Sequence, residues 1–252
     1  MPILFCRFCY FSSMKKSILN TPAFRYIFEV IVIVFSVTLS FYIQDVLNER
    51  EKVHLKNNGL DGVLIELAAD KRHFLDGISL KEIINDNTDS ILTDGVRVTN
   101  ENIFWTMRRY FNFQGSDKNF NSMVSTGSIE FIESKELSIA IQNYYGSTYE
   151  LLRDFSYQDR NYFDDMVDYL GNNYLVKSSE FITVLNDTKS DSMTLKSLIY
   201  DSKSLSEMKS DRIIISKLYH KQWMSNFYKN ILKSSLKKNE NLVLLINKEL
   251  NN

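Results

Sequence analysis

The chain has 252 residues, with 30 Lys and Arg against 31 Asp and Glu, for a net charge of −1. That balance removes the electrostatic reason to expect a nucleic-acid partner. Hydrophobic residues at 44% can supply a core, whereas two cysteines and three histidines leave little for thiol or imidazole chemistry. Two prolines, Pro2 and Pro22, and eight scattered glycines punctuate the whole chain, which disfavours an all-β or loop-rich fold and predicts an all-α one.

The first stretch, Met1–Ser13, is apolar and aromatic. Met14-Lys15-Lys16 has the look of an ordinary bacterial start and competes with Met1 for that role. Cys6 and Cys9 form a C-x-x-C pair, but a zinc site needs a second pair and a redox motif needs a βαβ context. They read as incidental thiols.

Val30–Ile43 carries no charge. Extended back to Phe24 it reaches the roughly 20 residues that a helix needs to cross a bilayer. Arg25 falls in its first turn, where a long side chain reaches the headgroups. Glu29 lies about one turn in, a depth tolerable for a protonated or paired carboxyl. Tyr26 and Tyr42 mark the two ends, as interfacial rings do. No A-x-A-like site follows, so an uncleaved signal-anchor is expected. Arg7, Lys15, Lys16 and Arg25 precede the span, with no acidic residue among them. The positive-inside rule then places the N-terminus in the cytoplasm. The expected layout is a short cytoplasmic tail over 1–23, a transmembrane helix over 24–44 and a helical extracytoplasmic domain over 45–252. In a bacterium that means a single-pass inner-membrane protein with a periplasmic domain. Within the span Glu29, Ser36, Ser40 and Gln44 share one side of a helix, and Ser36-x-x-x-Ser40 is a small-xxx-small match. This polar stripe is the candidate helix-packing face, for a homo-oligomer or a membrane partner.

Beyond the span, Asp45–Asn57 continues the helix into water, with Gly59 and Gly62 as points where it could loosen. Val63–Leu80 repeats apolar residues at a helical period. Asp86–Asn100 is the clearest loop, with at most a short strand at Val96 and Val98. Ile103–Phe113 reads as a helix. Ser125, Gly127 and Ser128 form a structural turn, in which Gly127 can take the positive φ that ends a helix and Ser134 caps the next. Ser134–Tyr145 and Thr148–Leu170 flank Gly146 as two helices. Lys177–Lys209 is serine-rich and reads as helices broken by polar turns. The last helix starts from Ser210 as N-cap and runs through Ile214, Leu218, Trp223, Phe227, Ile231 and Leu242 to Leu250, with a possible interruption at Asn239–Asn241.

Catalytic motifs are sparse, and no catalytic residue, cofactor site or metal site is assigned. Glu66, Asp70 and His73 share a helix face at a spacing able to hold a metal, but a second contributing helix is lacking and a solvated charged face is the ordinary reading. Asp164, Asp165 and Asp168 could pair as acid and base; exposed acidic clusters are commonplace. The dense tyrosines from Tyr144 to Tyr174 read as core rings with surface hydroxyls.

The run Phe120-Asn121-Ser122-Met123-Val124-Ser125-Thr126-Gly127-Ser128-Ile129-Glu130-Phe131-Ile132, followed by Lys135-Glu136-Leu137 and Tyr144-Tyr145, resembles a family of uncharacterised single-span membrane proteins common in Bacteroidota. Glu29-Val30 and Asn48-Glu49-Arg50 match the family's layout around its span. Phe28 stands where glycine is usual and Leu47 where tryptophan is. The resemblance covers roughly residues 24–160 and implies a membrane-anchored helical protein, with no chemistry attached. The reading that follows is a protein-interaction or scaffold module. The alternatives are a periplasmic sensor acting through a membrane partner and, opposed by the lack of a convergent motif, an enzyme.

Overall fold

The computed structural model describes residues 22–185 and 192–251. Cys6, Cys9 and Met14, with the rest of the N-terminal tail up to residue 21, lie outside them. Helices dominate: α1 (Pro22–Leu92), α2 (Asn100–Met107), α3 (Lys118–Ser125), α4 (Lys135–Asn143), α5 (Tyr149–Asn173), α6 (Ser202–Ser210) and α7 (Arg212–Leu250). A hairpin of β1 (Val176–Leu185) and β2 (Ser192–Tyr200) pairs antiparallel, with Ile182 opposite Leu195. The fold is therefore all-α with one two-stranded hairpin. That hairpin replaces the helices expected from Lys177 to Tyr200, whereas Ser202–Lys209 is helical as expected. Its Phe181-Ile182-Thr183-Val184 segment is of the β-branched and aromatic type that loses rotamer freedom in a helix and fits a pleated strand.

The chain divides into two units, one ending at Leu55 and the other beginning at Lys56. The first contains the opening part of α1, which starts on Pro22, the first-turn position where a missing N–H costs nothing. Every residue from Tyr26 to Ile43 is exposed. Among the described residues α1 is the helix long and apolar enough to cross a membrane.

The second unit is built on three long helices: α1 from Lys56 onward, α5 and α7. Glu82 faces Lys229, Asn85 faces Asn226 and Asp89 faces Gln222, so α1 and α7 are antiparallel. Asp70 meets Tyr149 and Lys81 meets Asp159, so α5 runs parallel to α1. The buried residues of α7 include Ile214, Leu218, Lys221, Ser225, Tyr228, Leu232, Ser235, Asn239, Leu242, Ile246 and Glu249. Their alternating steps of three and four are the seam of a coiled-coil-like bundle. On α1, Leu60, Val63, Leu67, Asp70, Phe74, Lys81, Ile84, Thr88 and Ile91 keep the same rhythm.

Several sequence expectations are corrected here. α1 does not loosen at Gly59 or Gly62; a Cβ at those positions would stand 2.5 Å from Met123 Cγ and from Asn119 Oδ1, so the glycines admit neighbours. The first half of the expected loop over Asp86–Asn100 is helix as far as Leu92, because Ile91 belongs to the seam and holds the last turns in the core. The cap of α7 is Asp211, one residue after Ser210: its Oδ1 accepts the N–H groups of Ile213 and Ile214 at 2.7 and 3.3 Å. Asn239–Asn241 does not interrupt α7, since Asn239 is buried and bonded.

Gly127 has φ 72° and ends α3, followed by a 3₁₀ turn over Ser128–Phe131. Ser134 caps α4, its Oγ accepting Leu137 N–H at 3.2 Å. α4 and α5 are joined by a π-helical turn, Tyr144–Thr148, with Gly146 inside it.

Candidate functional site

The inward seam carries ionisable side chains in three clusters. The deepest is a carboxylate between two ammonium groups. Asp159 on α5, Lys81 on α1 and Lys221 on α7 are each at most 1% exposed. Asp159 Oδ2 accepts from Lys81 Nζ and from the Phe111 N–H (2.8 Å for the latter), and Oδ1 accepts from Lys221 Nζ at 2.8 Å. Lys221 also donates to Arg109 O at 3.0 Å. The two ammonium groups lie against the rings of Tyr228 and Tyr162, 5.0 and 5.1 Å from their centroids. Burial lowers the Lys81 ammonium from its ordinary 10.5 to about 8, although Asp159 resists the shift. Burial works against ionisation of Asp159 too, but Lys81 and Lys221 outweigh it and hold that carboxyl below its usual range.

This cluster divides the unit's core in two. One half gathers around Leu67, Phe74, Phe113, Tyr149 and Leu232, the other around Ile91, Met107, Met166, Leu205 and Leu218. Two cations on one buried anion leave an excess positive charge, so the layer is a poor source of net stability and a strong selector of register.

The second cluster sets carboxylates against neutral donors. Asp70 Oδ2 accepts from Tyr149 Oη at 2.5 Å and Tyr144 Oη at 2.9 Å. Glu66 Oε2 accepts from Tyr145 Oη at 2.8 Å, and Oε1 from Asn119 N–H at 2.8 Å. The π turn makes this possible. Its i→i+5 bond from Tyr149 N–H to Tyr144 O brings those two rings onto the same side of the helix. Burial raises the Asp70 carboxyl above its ordinary 3.8 despite both tyrosine hydroxyls. Burial, with the facing carboxylates, also raises the hydroxyls of Tyr144, Tyr145 and Tyr149, which stay protonated as donors.

The third cluster closes the end of the unit. Glu249 Oε1 accepts from Lys56 Nζ at 3.0 Å and Glu133 N–H at 2.9 Å, and Oε2 from Ser134 N–H at 3.2 Å. Burial opposes its charge, and these donors overcome that and hold its carboxyl below the usual range.

The solvated face expected for Glu66, Asp70 and His73 is thus overturned: Glu66 and Asp70 are buried and hydrogen-bonded, and no metal-holding group of such side chains forms among the described residues. Asp164, Asp165 and Asp168 are exposed; Asp164 lies 3.9 Å from Arg160 and Asp165 pairs with Lys217. The tyrosines split, with Tyr144, Tyr145, Tyr149, Tyr162 and Tyr174 buried and Tyr157 exposed. Glu29, Ser36, Ser40 and Gln44 are all exposed on α1. Ser36 Oγ donates to Val32 O at 2.7 Å and Ser40 Oγ to Ser36 O at 2.8 Å. At the turn, Ser125 Oγ donates to Ser122 O at 3.0 Å, and Ser128 Oγ accepts from Thr126 Oγ1 at 3.1 Å.

Sequence reasoning missed Lys81, Asp159 and Lys221. The signal that finds them is a charge standing where the three-and-four rhythm demands an apolar residue. Of the apolar residues read along α7, Ile231 packs partly buried against the core, whereas Trp223 and Phe227 are 62% and 46% exposed. They form a second, outward stripe. The Trp223 and Phe227 rings stack at 5.8 Å, and the Phe155 ring on α5 lies 5.3 Å from that of Phe227.

Comparison with family models, with curated proteins and with solved structures finds no match for this chain.

Proposed function

We propose that the protein is a membrane-anchored helical module whose folded unit, from Lys56 onward, binds a protein partner on the extracytoplasmic side. The observation that carries the interaction reading is the outward aromatic stripe. Trp223, Phe227 and the neighbouring Leu151 are exposed apolar side chains on adjoining helices. Large apolar groups grouped on a surface mark association sites, and Trp is enriched among residues that dominate binding energy. The apolar, fully exposed Tyr26–Ile43 segment supports the anchor, because such a surface is stable in hydrocarbon and not in water.

A photo-crosslinking side chain in place of Trp223, activated in native membranes, tests the reading. One stoichiometric adduct that is absent when the same group replaces the exposed Tyr157 supports it; no adduct at either position refutes it. Resistance to alkaline extraction tests the anchor. A reporter fused after Asn252 tests orientation, where cytoplasmic activity would refute the extracytoplasmic placement. The Glu29–Ser36–Ser40–Gln44 stripe is proposed as an oligomer or partner contact, and an unchanged oligomer size for Glu29→Leu with Ser36→Leu would remove it. A second reading, a ligand sensor acting through a membrane partner, is favoured by a groove between α1 and α7.

A further inference from the structure

The groove has a volume of about 350 Å³, at the lower end of the range of small-molecule sites. Leu64, Leu67 and Ala68 on α1 and Val243 and Leu244 on α7 supply apolar walls. Lys71 and Glu240 line it too, and they satisfy each other at 2.8 Å.

Asn239 also lines the groove and is 1% exposed. Its Nδ2 donates to Leu67 O at 2.9 Å and to Tyr144 Oη at 3.0 Å. A backbone carbonyl can only accept, so the amide nitrogen must face Leu67 and the amide cannot be turned around. Tyr144 gives its own proton to Asp70, which leaves its oxygen to accept from Asn239. Both contacts fix the other end of the amide as the oxygen, and Asn239 Oδ1 is buried with no donor. A buried acceptor without a partner is costly to the fold. The position therefore calls for a donor from outside the chain.

From this we infer that the groove binds an uncharged, largely apolar small molecule carrying a hydrogen-bond donor, whose entry parts the side chains over Asn239 and brings the donor to its Oδ1. A charged ligand is excluded by the apolar walls, where an unpaired charge is costly, and by the prior pairing of Lys71 with Glu240. The inference deepens the sensor reading, but it is decided by binding alone, so its failure leaves the membrane-anchored interaction module standing.

Indole and indene form the test pair, since they share a bicyclic shape and only indole has an N–H. Each is titrated into the full chain in detergent micelles, with methyl resonances of Leu64, Leu67 and Val243 as the readout. Indole should shift these methyls and bind about tenfold more tightly than indene. Ala68→Phe, an exposed position on one wall, should abolish both responses without lowering the melting temperature. Leu244→Gln, exposed on the other wall, should weaken indole binding and provides an independent check if Ala68→Phe does not fold. Equal affinities for the two probes would overturn the donor pairing. Unmoved groove methyls, or a response retained in Ala68→Phe, would overturn the site.

Discussion

Replacing Asp159 by Asn separates the buried charge layer from ordinary packing. The side chain keeps its shape, but two ammonium groups lose the buried counter-charge between them. The carboxylate accepts from Lys81, Lys221 and the Phe111 N–H. Hydrogen bonds to a charged group are worth about 1.5–3 kcal/mol each, so removing all three would cost roughly 5–9 kcal/mol. Asn retains one acceptor oxygen for the Lys81 and Phe111 side, and its amide hydrogens then confront Lys221. The expected loss is therefore about 3–5 kcal/mol at neutral pH, as for breaking a buried pair from one side. pH should modulate it. In the folded chain Lys81 releases its proton near pH 8, whereas the unfolded chain holds that proton to about 10.5. Across this window the unfolded state binds more protons, so wild-type stability rises with pH. Without Asp159 the folded-state affinity of Lys81 for its proton falls further and the rise begins at lower pH. The gap between variant and wild type should accordingly narrow as pH climbs from 7 to 10. Urea unfolding of the full chain in mild detergent, followed by the fluorescence of Trp105 and Trp223, measures both quantities. Adding Lys81→Met to Asp159→Asn should restore part of the loss. A loss below about 1 kcal/mol at pH 7, or a gap that ignores pH, would refute the reasoning.

Asp70→Asn should behave in the opposite way. Burial raises the Asp70 carboxyl, so folded stability falls as pH climbs from 3.8 through the raised value, above which the full cost of the ionised form is carried. Asn can still accept from Tyr144 and Tyr149, and stability at pH 7 should hold or rise by up to about 1 kcal/mol. The difference should vanish below pH 3.8, where wild-type Asp70 is neutral in both states; a large loss on chemical unfolding at pH 7 would contradict this. Gly62→Ala should cost about 1–3 kcal/mol by thermal melting, because the added Cβ displaces Asn119, and overpacking outweighs the helix-propensity gain. Gly171→Ala meets nothing within 4 Å and should instead gain up to about 1 kcal/mol. Asp211→Ala removes the cap of α7 together with the acceptor for Tyr169 and Tyr174. It should lower stability by about 2 kcal/mol, with amide exchange at Ile213 and Ile214 accelerated first.

The helical class and the exposed apolar stretch of α1 are legible in the sequence because proline and glycine are scarce and the Val30–Ile43 run is uninterrupted. The seam is harder to see. Its positions hold Lys56, Asp70, Lys81, Lys221, Asn239 and Glu249, so a search for apolar periodicity passes over it. On α7 such a search takes in Ile214, Leu218 and Leu242 of the seam but mixes them with the outward Trp223 and Phe227. The hairpin is hidden by its serines and lysines, grouped at Lys177-Ser178-Ser179 and Lys196-Ser197 beside the residues that favour a strand. The tyrosine cluster needed the π turn, and a one-residue shift in helical phase leaves no composition signal.

The seam between α1 and α7 also bears on how the folded unit responds to force. A purely apolar seam can slip by one heptad at small cost, since one Leu replaces another. Here a slip would carry Glu249 away from Lys56 and strand Lys221 beyond the reach of Asp159. The two helices are keyed like a shaft in a slot. A pull along α1 within this unit is therefore carried straight into α7 as rigid displacement, until the bundle yields altogether.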